Sequence, residues 1–504
     1  MTCDNVVPVV TADRTNVPDS RRIAEQIIAD YRSRRVYART SVERLAALAS
    51  GTDDRAIHAS RAIFGDLVEP LADSFDPTGV SLYNRAFGQI VQFCRAGQPE
   101  MDRKLLQFDL KTEDELLKRA EGLRSASSRA HLAMADVQGL QLAVVLSRVT
   151  LGADVAVTSV LIGRLKERLP TADIVLVGGR KMRELFGGDP RLSFHELEYG
   201  RAGSLAERLL SWVELAESVG NLTRGLEPRQ YVVIDPDSRL TQLGILPVCP
   251  PESYLFFPSR EYRYESDDSL SRLASCWGSE LLGGEAILPK INPRPDDVAL
   301  GQRIARRVKS TTDRKLICLN FGVGGNSAKR VGLEFERFLI EWLAGLLPVP
   351  GSSSIGPGII LDSGSGGAES ELANAVFNLS RDQNSKLNDI SVVEACEDSL
   401  PALLAQDVPR IDILVWNGRI GLLAGMMASC DLYIGYDSMG QHIAAALGVP
   451  CIDVAAGYVL QRFLQRWTPT GRGAVNIISV AEDTDWRGTL DAAIKSAGAV
   501  LGFV

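Results

Sequence analysis

Apolar positions recur at spacings of three and four through residues 1 to about 125. SRRIAEQIIADYRSRRVYA, RAIFGDLVEPLA and TEDELLKRAEGL each lay an apolar stripe along one side of a helix. Thr112 and Glu115 form a capping-box pattern ahead of LLKRA, so a helix is expected to start there. No fixed period links these segments, which argues against a helical repeat. From about residue 130 the pattern changes. Short apolar runs (QLAVVLSR, ADIVLVGG, YVVIDPD) alternate with amphipathic stretches (ADVAVTSVLIGRLKERLP, SLAERLLSWVELAES). Such alternation predicts a parallel sheet with helices on its faces.

Three prolines in EAILPKINPRPDD (Pro289, Pro293 and Pro295) interrupt the pattern and mark a hinge, with a boundary expected near 290 to 312. The alternation then restarts through KLICLNFG, FERFLIEWLAGLL, IILDSG, ESELANAVFNLS, DLYIGYD, HIAAALG and CIDVA. The expected organisation is a helical accessory domain over 1–128, doubly wound α/β domains over 129–300 and 301–485, and a terminal helix over 486–504. Two such sheets joined by a hinge leave a cleft, and open parallel sheets bind ligands at the carboxyl ends of their strands.

Composition narrows the function classes. The 504 residues are 45% hydrophobic and 23% charged, with 45 glycines, as expected of a globular protein with many strand-to-helix turns. The net charge of −8 comes from 63 acids against 55 bases, and no basic arm stands out, so nucleic acid is not an expected partner. No long apolar run or basic leader appears; a cytoplasmic protein with at most peripheral membrane contact is expected. The eight cysteines are scattered without C-x-x-C or zinc-finger spacing, so neither a metal site nor a disulfide framework is expected.

Three clusters carry candidate chemistry. In GYDSMGQHIAAALGVP (435–450) a strand delivers Asp437 to the sheet edge, Ser438, Met439, Gly440 and Gln441 lie between strand and helix, and His442 begins the helix HIAAALG. Free N–H groups there suit an anion such as a diphosphate; equally, Asp437 and Ser438 could simply cap the helix. GVGGNSAKR (322–330) offers a pliable loop with Lys329 and Arg330, fit for a phosphate or for a solvated turn. In SRVTLGADVAVTSVLIGRLK (147–166) Asp154 begins a helix, either capping it or facing the cleft as a general base. The four histidines form no metal or nucleophile pattern, and Ser438 lacks a nucleophile-elbow setting.

Taken in order, these stretches resemble the heptosyltransferase family of glycosyltransferases (family 9), whose members have the GT-B fold of two facing Rossmann-like domains. The resemblance spans roughly residues 135 to 480. DSMGQHIAAALGVP is similar to the family's D-[ST]-G-x-x-H-[LI]-x-A-A-L-G-x-P, sharing Asp437, Ser438, His442, Ala445, Ala446, Gly448 and Pro450, with Met439 where the family has glycine. Asp154, Val155, Thr158, Leu165 and Lys166 match the pattern after the first strand, where Ala153 separates Gly152 from Asp154. The resemblance implies a nucleotide-sugar donor, ADP-linked heptose or a relative, and metal-independent, inverting transfer with no cofactor. Asp154 would be the base. Lys329, Arg330, Asp437, Ser438, Met439, Gly440 and His442 would hold the donor, and Glu369 would lie near its ribose. The helical domain is not part of the family pattern; it would recruit a saccharide or protein acceptor or mediate self-association. An epimerase or phosphorylase on the same scaffold, and a non-catalytic sugar-nucleotide-binding protein, stand as alternatives.

Overall fold

The computed structural model describes residues 19–125, 139–200, 203–324, 326–345, 356–364, 367–383, 387, 390–405, 410–458, 460–481 and 485–502. Contacts divide the chain into two units, Met1–Ala120 with Gly200–Glu214, and Glu121–Tyr199 with Leu215–Val504.

The first unit is helical. Helices Asp19–Arg34, Arg39–Ala49 and Asp54–Arg61 are followed by Pro77–Cys94, Pro99–Gln107 and Glu113–Gly122. The capping box forms as expected: Glu115 N–H donates to Thr112 Oγ1 at 3.3 Å, and Thr112 N–H to Glu115 Oε2 at 3.0 Å. Residues 200–214 add to this unit a piece from later in the chain: the Arg208 guanidinium stacks 4.0 Å from the Phe64 ring, and Ser60 Oγ donates to Gly203 O. The expected boundary at 128/129 lies outside the described residues.

The second unit holds two parallel sheets, the two Rossmann-like domains of the expected GT-B fold. The first comprises β1 (Leu142–Leu146), β2 (Asp173–Gly178), β3 (Leu192–Glu196), β4 (Tyr231–Asp235) and β5 (Tyr254–Phe256), in spatial order β3-β2-β1-β4-β5. The second comprises β6 (Leu316–Asn320), β7 (Gly358–Asp362), β8 (Val392–Ala395), β9 (Ile413–Trp416), β10 (Leu432–Tyr436), β11 (Cys451–Ala455) and β12 (Val475–Ser479), in order β12-β11-β10-β6-β7-β9-β8. Strands β1, β4, β6 and β10 are buried along their whole length, which is why they read as unbroken apolar runs rather than as alternation.

One expectation, that all three prolines of 283–295 break regular structure, needs correction. Residues 283–294 carry no regular element, but Pro295 does not break structure; it opens the helix Pro295–Lys309, where its missing N–H costs nothing. A division at 300/301 would cut that helix. The helix crosses Ile420–Met427 so closely that a Cβ on Gly301 would stand 2.7 Å from the Gly425 carbonyl carbon, so it packs with the second sheet. The expected terminal helix forms over Trp486–Leu501, and its Ala493, Ala497 and Leu501 share a core with Ile317, Leu319 and Ile434.

Candidate active site at two facing sheet edges

In each sheet chain order reverses direction between two central strands, and at such a point the loops leaving neighbouring strands diverge and open a crevice at the carboxyl edge. In the first sheet it lies between β1 and β4, which pair directly through Leu142↔Tyr231 to Val145↔Ile234. In the second it lies between β6 and β10, paired through Leu432↔Ile317 to Gly435↔Asn320.

At the β6/β10 edge the turn Ser327–Lys329 brings Lys329 to Asp437, with Nζ 2.5 Å from Oδ2. The other carboxylate oxygen accepts from Gln441 Nε2 at 2.7 Å. Both oxygens of Asp437 are thereby engaged away from the helix start. Ser438 occupies the N-cap position of the helix Met439–Leu447 in extended backbone, yet its side chain makes no capping bond. The capping explanation for this stretch is therefore not realised, and the helix start keeps N–H groups without a side-chain cap. Phe463 covers the lysine, its ring centre 5.1 Å from Nζ.

His442 is buried one turn into that helix, with Trp467 edge-on at 6.1 Å. Burial drives its pKa down to about 4; nearby Lys329 adds to the shift and Asp437 opposes it. The imidazole is therefore neutral near pH 7. Gly440 is explained without a ligand: a Cβ there would stand 2.3 Å from the buried Tyr433 hydroxyl. Asp453 on β11 is buried behind the Lys329–Asp437 pair, and burial, reinforced by the Asp437 charge, pushes its pKa well up.

At the β1/β4 edge Asp154 is 1% exposed. It does not begin its helix, as the spacing suggests; Thr150 is the N-cap and Leu151–Ala153 precede it, and the chain makes a π-helical turn over Asp154–Thr158. Its Oδ1 accepts from Arg148 N–H at 2.8 Å and Thr158 Oγ1 at 2.8 Å, and its Oδ2 from Ser147 Oγ at 2.7 Å. Burial raises its pKa against these three bonds. Arg148 is equally enclosed. It donates to Pro236 O at 2.7 Å and Ser259 Oγ at 3.1 Å, and burial lowers its pKa to about 10.

The two edges meet. An ideal Cβ on Gly152 would lie 3.2 Å from Met439 Cα and 3.3 Å from His442 Cδ2, so these backbones touch. The Arg148 guanidinium lies 5.7 Å from the Trp467 ring of the other domain. Arg462 and Arg466 donate across to the carbonyls of Tyr264 and Asp268, and Ser269 Oγ bonds Thr470 Oγ1 at 2.8 Å.

Of the residues expected at the site, the structure brings together Lys329, Asp437, Ser438, Met439, Gly440 and His442, with Asp154 behind the loop that faces them. Arg330 is put to a different use. It forms a two-pronged ion pair with the wholly buried Glu336, which also accepts from the Tyr436 hydroxyl at 2.8 Å, so its fork is committed to a carboxylate of its own domain. Glu369 falls in the helix Gly367–Arg381, and its side chain lies outside the described residues. Sequence reasoning missed Arg148, Asp237, Asp453, Phe463 and Trp467. The run YVVIDPDSRLTQLG signalled the strand before Asp237, but nothing in its spacing separates that aspartate from Asp235.

No protein-family model matches the sequence, and no curated protein matches it significantly. Solved structures do align with it. A glycosyl transferase of family 9 from Veillonella parvula is 14% identical, with 72% of this chain and 98% of that chain covered and a TM-score of 0.49. The E. coli ADP-heptose heptosyltransferase II is 14% identical over 72% of this chain and 98% of its own, with a TM-score of 0.43. An E. coli heptosyltransferase solved with ADP is 13% identical over 70% and 99%, with a TM-score of 0.42. The chain's neighbours among solved structures are thus family 9 glycosyltransferases and heptosyltransferases.

Proposed function

We propose that this protein is an inverting, metal-independent glycosyltransferase that moves a heptose-like sugar from a nucleotide-sugar donor, ADP-linked by preference, to a hydroxyl of a saccharide or protein. One observation carries the reading. A lysine and a helix start without a side-chain cap converge at the point where strand order reverses, within reach of the facing domain. A diphosphate bound there would take Lys329 from Asp437 and accept the backbone N–H groups of the helix, and both would stabilise the charge that builds as the sugar departs. Neutral His442 adds no competing charge. No cofactor beyond the donor enters this chemistry, and the donor is drawn from the cytoplasm. Among the described residues no helix is long and apolar enough to cross a membrane.

The test is a thermal-shift panel of ADP-, UDP- and GDP-sugars. A donor at a hundred times its Kd adds about 2.7 kcal/mol of stability, which raises the melting temperature by several degrees. Wild type should respond to ADP-sugars, and Lys329→Ala should lose the response. If no sugar nucleotide stabilises wild type, the proposal fails. A second reading, a sugar-nucleotide-binding protein without catalysis, draws on the full engagement of Asp154. It predicts donor binding with no release of nucleoside diphosphate in the presence of saccharide or protein acceptors.

A further inference from the structure

Three carboxylates crowd the β1/β4 edge, and they are not equivalent. Asp154 has both oxygens engaged, by three donors in all. Asp235 accepts from Ser238 N–H at 2.7 Å through Oδ1, and from the hydroxyls of Thr241 and Tyr254 at 2.5 Å each through Oδ2. Asp237 differs. Its Oδ2 accepts from Ser259 Oγ and from Arg260 Nε at 3.2 Å, while its Oδ1 is enclosed and has no hydrogen-bond partner among the described residues. A buried carboxylate oxygen without a donor is costly, and proteins keep such groups where a ligand or a reaction uses them.

The backbone carries a second, independent mark. Asp237 has φ +71° and Val149, in the facing loop, has φ +75°. Aspartate tolerates left-handed backbone, but for a β-branched valine it is strained, and such strain gathers at functional sites. The two loops are stitched together by Ser238 Oγ donating to Ser147 O at 2.6 Å and by Arg148 donating to Pro236 O. Arg148 Nη2 stands 3.8 Å from Asp237 Oδ2, and the same guanidinium lies beside Trp467 of the facing domain. Asp237 is thus one side chain away from the face where the two domains meet.

We infer that Asp237, rather than Asp154, is the carboxylate that takes the acceptor's proton. This rests on the transferase reading above. An acceptor hydroxyl admitted at this edge donates its hydrogen bond to Asp237 Oδ1. The proton passes to that oxygen while the hydroxyl oxygen bonds to the anomeric carbon. The bond from that carbon to the diphosphate breaks, and the nucleoside diphosphate leaves with the electron pair. Arg148 and Arg260 act as positioning residues that hold the carboxylate in place. Asp154 shapes the turn that presents Arg148.

The test measures nucleoside diphosphate release, with water or a saccharide as acceptor, from whichever ADP-, UDP- or GDP-sugar raises the wild-type melting temperature. Asp237→Asn should keep the donor-induced thermal shift and lose release at least a hundredfold. Asp237→Glu keeps the charge between the two arginines and guards against simple misfolding; it should fold, bind donor and retain part of the rate. Asp154→Asn should lower the melting temperature. Release by Asp237→Asn within threefold of wild type overturns the assignment. So does a loss of release confined to Asp154→Asn at an unchanged melting temperature. Absence of any donor shift in wild type overturns the transferase reading itself, and this assignment falls with it, whereas donor binding with the wrong aspartate sensitivity overturns only the assignment.

Discussion

His442 should make the protein sensitive to mild acid, and the size of the effect follows from its surroundings. The ring is buried between the Gly152 turn and Trp467, and its pKa is lowered from 6.5 to about 4. Below pH 6.5 an unfolded chain takes up a proton that the folded one refuses. Stability is therefore unaffected by this group above pH 6.5 and falls as the pH drops toward 4. A tenfold difference in proton affinity between the folded and unfolded chain is worth ~1.36 kcal/mol, so the loss reaches about 2 kcal/mol at pH 5 and about 3 kcal/mol at pH 4. Urea unfolding of wild type and His442→Gln at pH 7.5 and pH 5 measures it. The substitution itself has a packing cost, but that cost is common to both pH values and cancels in the difference. Wild type should lose about 2 kcal/mol more than His442→Gln between the two conditions. Equal losses would refute the claim that the imidazole is held neutral by burial.

Two further substitutions test the packing around the site. Gly440→Ala drives a methyl to 2.3 Å from the Tyr433 hydroxyl; it should cost roughly 1 to 3 kcal/mol in urea unfolding. Adding Tyr433→Phe should recover part of that loss, because the hydroxyl is the nearest atom. Arg330→Met leaves the buried Glu336 carboxylate without its ion pair and should cost about 3 to 5 kcal/mol. Wild-type stability in that variant, together with a lost donor-induced thermal shift, would instead restore Arg330 to the phosphate site.

The parts of the site that could be read in the chain are local ones. A strand ending in YIGYD and a helix read as HIAAALG place Asp437 and Ser438 at a sheet edge by periodicity, although the helix starts three residues earlier, at Met439, and the Thr112/Glu115 capping box is a four-residue matter. Lys329 could be suspected for the same reason: its loop follows a strand. Other features depend on residues distant in sequence. Arg330 adjoins Lys329 and looks alike as a charge, but Glu336 and Tyr436 claim it. Gly440 looks like room for a diphosphate, and its reason is a tyrosine seven residues upstream on the neighbouring strand.

What the sequence determined by itself is the class of each element and the edge of each sheet at which its polar loop emerges, because hydrophobic period and turn residues act over a few positions. Only the tertiary structure decided which of those polar groups are already satisfied. Asp154, Asp235 and Asp237 are indistinguishable as letters. Both oxygens of Asp154 and of Asp235 are engaged, the latter in part by Tyr254 on β5, 19 residues beyond Asp235, whereas one oxygen of Asp237 has no hydrogen-bond partner among the described residues. Asp154 finds its donors within seven residues of chain, but Tyr254 reaches Asp235, and Ser259 and Arg260 reach Asp237, only when β4 and β5 pair.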